Sequence, residues 1–270
     1  MIDTSLDDSA VALAAASAGA EVVRRMFGGR LDRIDKGGGD FATSADVAAE
    51  AAILDVIRTA RPADVMLGEE GGWQGADSAV RRWLVDPLCG TLNYAVGSKL
   101  VAVNVALHAS AAQAAVAPVA AVADPFNNEV FYTDGESAAV RRDGTDAQLV
   151  PSAASGLVDV NLDPPFPNAP GFRAVDLLAN PEFVARFRPR VLSTTLALAW
   201  VAAGKRAAYV TDGGDLSDSV HFAAGIALCR AAGCVVTGID GAPIGPGSRG
   251  LVAAADPQTH ALLMQMIPAP

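Results

Sequence analysis

The chain has 270 residues, of which 51% are hydrophobic and 19% charged, and its formal net charge is -10 at pH 7. A chain this long and this apolar buries a substantial core, which excludes general intrinsic disorder. The acidic balance argues against a broad cationic surface, so we expect no nucleic-acid partner. An acidic protein can still bind phosphate where a metal cluster reverses the local field.

Cysteine usage and hydropathy predict a soluble cytoplasmic protein. The three cysteines do not form a disulfide framework, and a reducing compartment is the simpler interpretation. Acidic residues lie near the start of the chain, where a signal peptide carries positive charge. The most apolar stretch, residues 101–123, is interrupted by polar residues and Pro118, and it predicts buried strands instead of a membrane span.

Hydrophobic spacing predicts two helices before the first strands. Apolar residues recur at helical spacing over residues 6–28 and stop at a Gly-Gly pair. A glycine-rich segment, residues 36–40, follows; since no Lys-Ser/Thr comes after it, it is not a P-loop. The second helix is predicted at residues 46–60. Short strands are predicted at residues 66–67 and 83–85, each running into an acidic turn.

The rest of the chain alternates strands and helices, which predicts a mixed α/β class with layered sheets. The predicted elements are a strand-like region at 101–132, a helix at 194–203, a strand at 207–211, an acidic loop at 212–218, a helix at about 219–232, closing strands from 235 and a short C-terminal helix. Prolines and asparagines are more frequent between residues 151 and 181, which predicts a connection between two subdomains there. We therefore expect an N-terminal subdomain, residues 1–150, carrying the motifs, and a C-terminal subdomain, residues 151–270, completing a cleft.

The segment Val-Asp-Pro-Leu-Cys-Gly-Thr-Leu-Asn-Tyr, residues 85–94, is the most informative part of the chain. A buried strand is predicted to end at Asp86, which places a carboxylate where a sheet edge meets solvent. The following proline and glycine favour a tight turn that presents side chains and a free carbonyl to one point, and hard cations bind such oxygen clusters. Gly68-Glu69-Glu70 places a second carboxylate at another strand end. From the residues alone, metal binding and plain turn capping both stay open.

Four motifs, in order along the chain, resemble those of the inositol monophosphatase family. Residues 86–94 are similar to its Asp-Pro-Ile/Leu-Asp-Gly-Thr-x-Asn-Phe signature, and residues 68–70 match its Gly-Glu-Glu. Residues 40–46 match Asp-x-x-Thr-x-x-Asp, and residues 221–233 look like its Trp-Asp-x-Ala-Ala-Gly…Glu-Ala-Gly element. The resemblance spans about residues 30–240. It implies an α/β/α/β/α sandwich with the active site between two subdomains.

The resemblance further implies a metal-dependent phosphomonoesterase acting on a small polyol or sugar phosphate, and a possible homodimer. The implied catalytic residues are Asp46, Thr91 and Glu69, the phosphate or substrate contacts are Gly90, Thr91, Lys36 and Asp212, and the ligands of a first Mg²⁺ are Glu69, Asp86 and the Leu88 carbonyl. In such chemistry the metal polarises the phosphoryl group, lowers the pKa of the attacking water and neutralises the leaving alkoxide. Thr91 and Asp46 would orient that water.

Two positions depart from the family pattern, and both belong to the second metal. The family binds that metal with three aspartates; Asp86 is kept here, but Cys89 replaces the second aspartate and His221 falls on the third. In one interpretation these residues form an O/S/N set that suits Zn²⁺ or Mn²⁺ better than Mg²⁺. In another, a nearby acid replaces a lost ligand, the candidates being Asp212, Asp215 and Asp218.

In a third interpretation the second site is lost, and the protein binds a small molecule or catalyses a reaction other than phosphate hydrolysis. Simpler roles also stay open for the departing residues. Cys89 can be a small buried residue of the turn, and His221 can hydrogen-bond a carboxylate instead of binding metal. Cys229 and Cys234 are predicted to lie in the core.

Overall fold

The computed structural model describes residues 6–38, 40–75, 81–109, 118–163, 171–214, 216, 219–245 and 247–268. Within these residues the helices are α1 (Asp8–Met26), α2 (Ser44–Ala60), α3 (Thr91–Ala95), α4 (Ala174–Ala179), α5 (Pro181–Arg186), α6 (Leu196–Ala202), α7 (Ala223–Ala232) and α8 (Pro257–Met266). The strands of the first half are β1 (Arg33–Gly37), β2 (Asp40–Thr43), β3 (Val65–Gly68), β4 (Gly72–Gln74), β5 (Arg81–Cys89), β6 (Ala102–Ala109), β7 (Val119–Asp124), β8 (Glu129–Thr133), β9 (Ala138–Arg142) and β10 (Thr145–Gln148). The strands of the second half are β11 (Leu157–Asn161), β12 (Arg188–Val191), β13 (Ala208–Thr211), β14 (Val235–Thr237) and β15 (Leu251–Ala254).

The strands form a two-stranded hairpin and two larger sheets. β1 and β2 make the hairpin, which precedes α2. The larger sheet has eight strands in the order β10-β9-β8-β7-β6-β5-β3-β4, and the smaller has five in the order β12-β11-β13-β15-β14. In the larger sheet β3 and β5 are parallel, while β3 with β4 and the successive pairs from β5 to β10 are antiparallel. The parallel pair matters because it brings the residue that follows β3 beside Asp86 of β5.

Helices cover both sheets and produce five layers. α1 and α2 pack together and against one face of the eight-stranded sheet. α6 and α7 lie between the two sheets, and α4, α5 and α8 pack against the outer face of the five-stranded sheet. The fold is therefore the α/β/α/β/α sandwich that the resemblance implied.

The outer helical layer forms where the sequence provides caps and small residues. The Asp7 carboxylate accepts a hydrogen bond from the Ala10 amide at the start of α1, and Arg24 and Arg25 lie in its last turn, where cations favour the helix dipole. A Cβ at Gly19 of α1 would lie 2.7 Å from Cδ1 of Ile53. Glycine at this position thus permits the close approach of α1 to α2.

Several sequence-based boundaries differ from the structure. The strand predicted at residues 83–85 continues through Asp86 and Pro87 to Cys89. The helix predicted from about residue 219 begins at Ala223, since residues 220–222 form a turn. The stretch 151–181, predicted as a connection, contains β11 and α4. The division at residue 150 stays a prediction, although the eight-stranded sheet ends with β10 and the five-stranded sheet begins with β11.

Among the described residues, the structure has no helix long and apolar enough to cross a membrane.

Candidate metal centre

The parallel pairing of β3 with β5 brings Glu69 and Asp86 together. In the parallel pair Gly68 of β3 lies opposite Val85 of β5, and the Glu69 amide donates to the Val85 carbonyl at 3.0 Å. The next side chain on each strand is a carboxylate. Asp86 is fully buried, and the side chain of Glu69 is 19% exposed. The structure thus unites two of the predicted metal ligands at one edge of the larger sheet.

A β-bulge between Asp86 and Cys89 shapes the turn that follows. Asp86 pairs with Asn104 and Cys89 pairs with Ala102, so three steps on β5 are matched by two on β6. Such a bulge bends the strand and leaves backbone groups unpaired in the ladder. The Leu88 amide donates to Asp86 Oδ1 at 3.1 Å, which orients that carboxylate. The Leu88 carbonyl oxygen lies 3.1 Å from Thr91 Oγ1 and keeps a lone pair for a cation.

Gly90 lets the chain turn from β5 into α3. Its φ is 104°, and a Cβ there would lie 3.0 Å from the Leu100 carbonyl oxygen. A side chain at this position would be strained and crowded at once. Three residues later, the side-chain NH₂ group of Asn93 donates to the backbone carbonyls of Leu100 and Ser193. The motif turn is therefore tied to the second half of the chain.

Thr91 and Asp46 form the pair that was predicted to orient water. Thr91 Oγ1 donates to Asp46 Oδ1 at 2.8 Å, and the other carboxylate oxygen accepts from the Thr43 amide at 2.8 Å. The second contact belongs to a capping box that starts α2. Asp46 is fully buried, and burial raises its pKa against these hydrogen bonds. The start of α2 therefore fixes Asp46 under Thr91.

Lys36 reaches the site from the β1–β2 hairpin. Its Nζ lies 2.9 Å from Glu69 Oε1 and 2.8 Å from Glu70 Oε1. Burial acts to lower the pKa of Lys36, but the hydrogen bonds to Glu70 and Glu69 raise it above its usual value. The structure thus places Lys36 on the carboxylates of the β3 turn; a phosphate contact by this residue stays a prediction.

His221 and Cys89, the two departures from the family pattern, lie together beside Asp86. His221 Nδ1 is 2.7 Å from Asp86 Oδ2 and 4.0 Å from Glu69 Oε2. One ligand atom each from Asp86, Cys89 and His221 lies within 4.8 Å of the other two. The Cys89 sulfur accepts from the Thr195 hydroxyl at 2.8 Å and from the Thr195 amide at 3.3 Å.

Glu69, Asp86 and Cys89 lie close together where burial removes much of their solvation. Burial, aided by the charge of Asp86, raises the pKa of Glu69 to about 8. Burial also acts to raise the pKa of Asp86, but the charge and hydrogen bond of His221 hold it below its usual value. Burial acts to lower the pKa of His221, yet Asp86 raises it to about 9. Burial and Asp86 raise the pKa of the Cys89 thiol well above its usual value.

Glu50 is part of this site although the sequence motifs did not indicate it. Its Oε2 accepts from the Glu70 amide at 2.8 Å, and its Oε1 accepts from the Gly71 amide at 2.7 Å. A Cβ at Gly68 would lie 2.5 Å from the Glu50 carboxylate. The available signal was spacing, since Glu50 is four residues after Asp46 and shares the buried face of α2.

Asn104 is the second residue that the motifs missed. Its side-chain nitrogen lies 3.3 Å from Asp86 Oδ2 and 3.0 Å from Thr195 Oγ1. Its buried Oδ1 atom has no hydrogen-bond partner among the described residues. The signal was a fully buried amide inside an apolar strand, directly opposite Asp86 in the register.

The acidic loop is only partly described. Asp212 follows β13, is buried, and accepts a hydrogen bond from the Ala174 amide at the start of α4 at 3.0 Å. This contact supports the second half of the fold, and a substrate contact by Asp212 stays a prediction. Asp215 and Asp218 lie outside the described residues, so their replacement of a lost ligand also stays a prediction.

The residues present fit a divalent cation at the first position. Glu69, Asp86 and the Leu88 carbonyl form a set of oxygen donors, and Mg²⁺ and Mn²⁺ prefer such ligands. Burial, and after it the charge of Asp86, disfavours the ionised form of Glu69 and raises its pKa. A divalent ion held here would supply positive charge.

The chain belongs to the inositol monophosphatase family, whose model matches residues 6–269. It is 34% identical over 270 residues to inositol-1-monophosphatase ImpA of Mycolicibacterium smegmatis, covering 95% of this chain and 91% of that protein. It is also 35% identical over 223 residues to Nus factor SuhB of Escherichia coli K12, covering 78% of this chain and 76% of that protein.

Solved structures agree with this assignment. The extragenic suppressor protein suhB of Bartonella henselae superposes with a TM-score of 0.80 at 25% identity and covers 94% of this chain and 95% of its own. An IMPase of Thermotoga maritima superposes with a TM-score of 0.79 at 21% identity and covers 97% of both chains. The second likeness concerns the fold alone.

Proposed function

We propose that the protein is a metal-dependent phosphomonoesterase that hydrolyses a small polyol or sugar phosphate to the free alcohol and inorganic phosphate. The observation that carries the proposal is the convergence of Glu69, Asp86 and the Leu88 carbonyl beside the Thr91–Asp46 pair. Family membership and relatives named inositol-1-monophosphatase support it.

Glu69, Asp86 and the Leu88 carbonyl would hold the metal. A bound Mg²⁺ supplies charge that polarises the phosphoryl group and lowers the pKa of a water. The protein's own contribution is positioning, on which phosphoryl transfer depends strongly. Asp46 accepts a hydrogen bond from the Thr91 hydroxyl. The lone pairs of the Thr91 oxygen are then free to accept a hydrogen bond from the attacking water. The backbone amides of the turn around Gly90 and Thr91 would meet the phosphate oxygens.

The test is phosphate release from a panel of polyol and sugar phosphates by the full chain with Mg²⁺, Mn²⁺ or Zn²⁺. We expect metal-dependent release that Glu69→Gln abolishes, because that change removes a charged ligand. Glu21→Gln, an exposed position on α1, is the matched control and keeps the activity. Absence of release across the panel with all three metals would contradict the proposal.

The ion pair between His221 and Asp86 favours a second candidate function, a family member that binds a small molecule or catalyses another reaction in the same cleft. An imidazolium beside Asp86 supplies positive charge at the second metal position without an ion. The double change Cys89→Asp with His221→Asp separates the two functions. Phosphatase activity that appears only in the double variant supports the second candidate, and activity that is present in the wild type and lost in the variant excludes it.

A cytoplasmic location and a homodimer are further parts of this proposal. Light scattering of the purified chain tests the second, and a monomer at micromolar concentration would contradict it.

A further inference from the structure

We propose that Asp86, Cys89 and His221 form a three-ligand site selective for Zn²⁺ over Mg²⁺, adjacent to the oxygen site of Glu69, Asp86 and Leu88. The inference deepens the proposed function because it names the cation of the second position in the same cleft. It does not require turnover, since the ligands themselves give a spectroscopic signal. The replacement of two family aspartates by Cys89 and His221 would then be a single change, from a magnesium site to a zinc site.

The geometry brings three different ligand types to one point. Their ligand atoms lie within 4.8 Å of one another, and the His221–Asp86 contact is 2.7 Å. Ligand atoms of a tetrahedral zinc site stand about 3.3 Å apart for nitrogen and oxygen. Separations of up to 4.8 Å between the ligand atoms must therefore shorten by up to about 1.5 Å when zinc binds. Movement of the His221 ring contributes to this, since its side chain is 45% exposed and lies in a turn before α7. Little packing opposes that movement.

The donor chemistry decides which ion fits. A carboxylate, a thiolate and an imidazole form a mixed set that zinc accepts in four-coordinate sites. Mg²⁺ requires near-octahedral oxygen ligands and does not favour sulfur or nitrogen. Binding displaces the protons of the Cys89 thiol and the His221 ring to solvent. Three protein ligands leave a fourth position for water, which is the arrangement of catalytic zinc sites.

Surrounding groups are arranged as the outer contacts of a metal site. The amide and the hydroxyl of Thr195 both point at the Cys89 sulfur, and such donors stabilise a thiolate. Asn104 donates to the Asp86 oxygen that contacts His221. Thr195 Oγ1 also lies 2.9 Å from the His221 carbonyl oxygen. Thr195 and Asn104 thus hold the side chains of Cys89 and Asp86, while Thr195 contacts His221 only at its backbone carbonyl.

The experiment uses the full chain freed of metal with a chelator and titrated with Co²⁺, which takes zinc sites and absorbs visible light. We expect one equivalent of Co²⁺ to produce a sulfur-to-cobalt charge-transfer band in the near ultraviolet. Zn²⁺ should abolish the band at one equivalent, whereas a hundredfold excess of Mg²⁺ should leave it unchanged. Absence of the band, or its loss with Mg²⁺, would overturn the proposal.

Single variants assign the ligands. Cys89→Ser should abolish the band, and His221→Ala should weaken Co²⁺ affinity on the order of 100-fold or more. Thr195→Val keeps the ligands but removes a donor to the sulfur, and should weaken affinity roughly 10- to 100-fold. Cys229→Ala in the core and His260→Asn on α8 are the matched controls and should keep the band. A band that survives Cys89→Ser would overturn the assignment, and if Cys89→Ser fails to fold, the wild-type band and His221→Ala decide it.

The outcomes separate this inference from the proposed function. A cobalt–thiolate band without phosphate release in any metal leaves the zinc site standing and removes the phosphatase. Phosphate release with Mg²⁺ from a protein that gives no band removes the zinc site and leaves the phosphatase standing.

Discussion

At the scale of single residues, Asp86 connects everything that the site is proposed to do. It is fully buried, contacts His221, and lies beside Glu69 on the neighbouring strand. A buried carboxylate without a cation is costly, and the imidazole of His221 offsets that cost. Because both proposed metal positions use Asp86, its loss would affect them together, while loss of Cys89 or Glu69 would affect one.

Asp46→Asn tests the water-orienting pair. The asparagine oxygen can keep the capping bond to the Thr43 amide, but its NH₂ group then faces Thr91 and donates to that hydroxyl. Thr91 then uses one lone pair for this NH₂ group and its proton turns away from residue 46, so the hydroxyl no longer presents the same acceptor to the water. We expect kcat to fall roughly 10²- to 10³-fold, as for loss of a positioned proton acceptor, with little change in the metal concentration needed for half activation.

Asp55→Asn is the control for this variant because Asp55 is exposed on the same helix. A value of kcat within a factor of two of the wild type would show that the Thr91–Asp46 pair has only a structural role.

Gly90→Ala tests the conformation of the motif turn. Alanine at φ 104° carries a left-handed penalty of roughly 1–2 kcal/mol, and its Cβ would lie 3.0 Å from the Leu100 oxygen. Gly97→Ala has a φ of 82° with nothing within 4 Å of the added Cβ, so it carries the penalty alone. In urea unfolding we expect Gly90→Ala to lose about 1 kcal/mol more than Gly97→Ala. Equal losses would show that the crowding around Gly90 relaxes freely.

At the scale of elements, α2 holds both sides of the site. Its first turn fixes Asp46, and one turn later Glu50 binds the amides that follow β3. Glu69 is therefore positioned by a helix that it does not belong to. The hairpin of β1 and β2 adds Lys36 from the other side.

Glu50→Gln tests this support. A glutamine has one acceptor oxygen, so either the Glu70 amide or the Gly71 amide faces an NH₂ group and is left unsatisfied, which costs about 1–3 kcal/mol of the free energy of unfolding. We expect metal affinity at the Glu69 position to fall roughly tenfold, with kcat at saturating metal nearly unchanged. Equal loss of kcat at saturating metal would assign Glu50 a direct role in the reaction.

The sequence predicted the elements whose signals are local. Glu69 could be placed directly after a strand, because an apolar run followed by an acidic turn marks such an end; for Asp86 the same signal was misleading, since β5 continues to Cys89. The bulge after Asp86 could not be predicted, since it depends on the register between β5 and β6. The roles of Asn104 and Glu50 depend likewise on partners far along the chain. The helix α7 begins only at Ala223, after the turn at residues 220–222, although the apolar pattern of the predicted helix begins earlier.

At the scale of the whole molecule, the two sheets share one core. The cluster between them contains Leu84 and Phe131 from the larger sheet, Tyr209 and Leu251 from the smaller, and the helices α6 and α7. Residues 1–150 alone would expose that face of the larger sheet. The division at residue 150 stays a prediction, and because of this shared core we expect both halves to unfold in one transition.

A cluster of ion pairs ties the outer helical layer to the larger sheet, and it predicts a pH dependence of stability. Asp8 at the start of α1 contacts Arg61 at 2.8 Å and Arg81 at 2.8 Å, and Arg81 also contacts Asp64 at 3.0 Å. Burial acts to raise the pKa of Asp8, but the hydrogen bonds from Arg81 and Arg61 outweigh it and lower the pKa. The folded state thus favours the charged carboxylate.

Because the folded pKa lies below the unfolded value of about 3.9, the stabilisation is present above that pH and is lost as the pH falls through the folded pKa. Asp8→Asn removes it. In urea unfolding at neutral pH we expect the variant to be about 1 kcal/mol less stable than the wild type, since the pairs are partly exposed and screened by salt. The difference should close below about pH 3. Asp55→Asn provides the baseline, and a difference for Asp8→Asn that persists unchanged into acid would show that its effect comes from packing instead of charge.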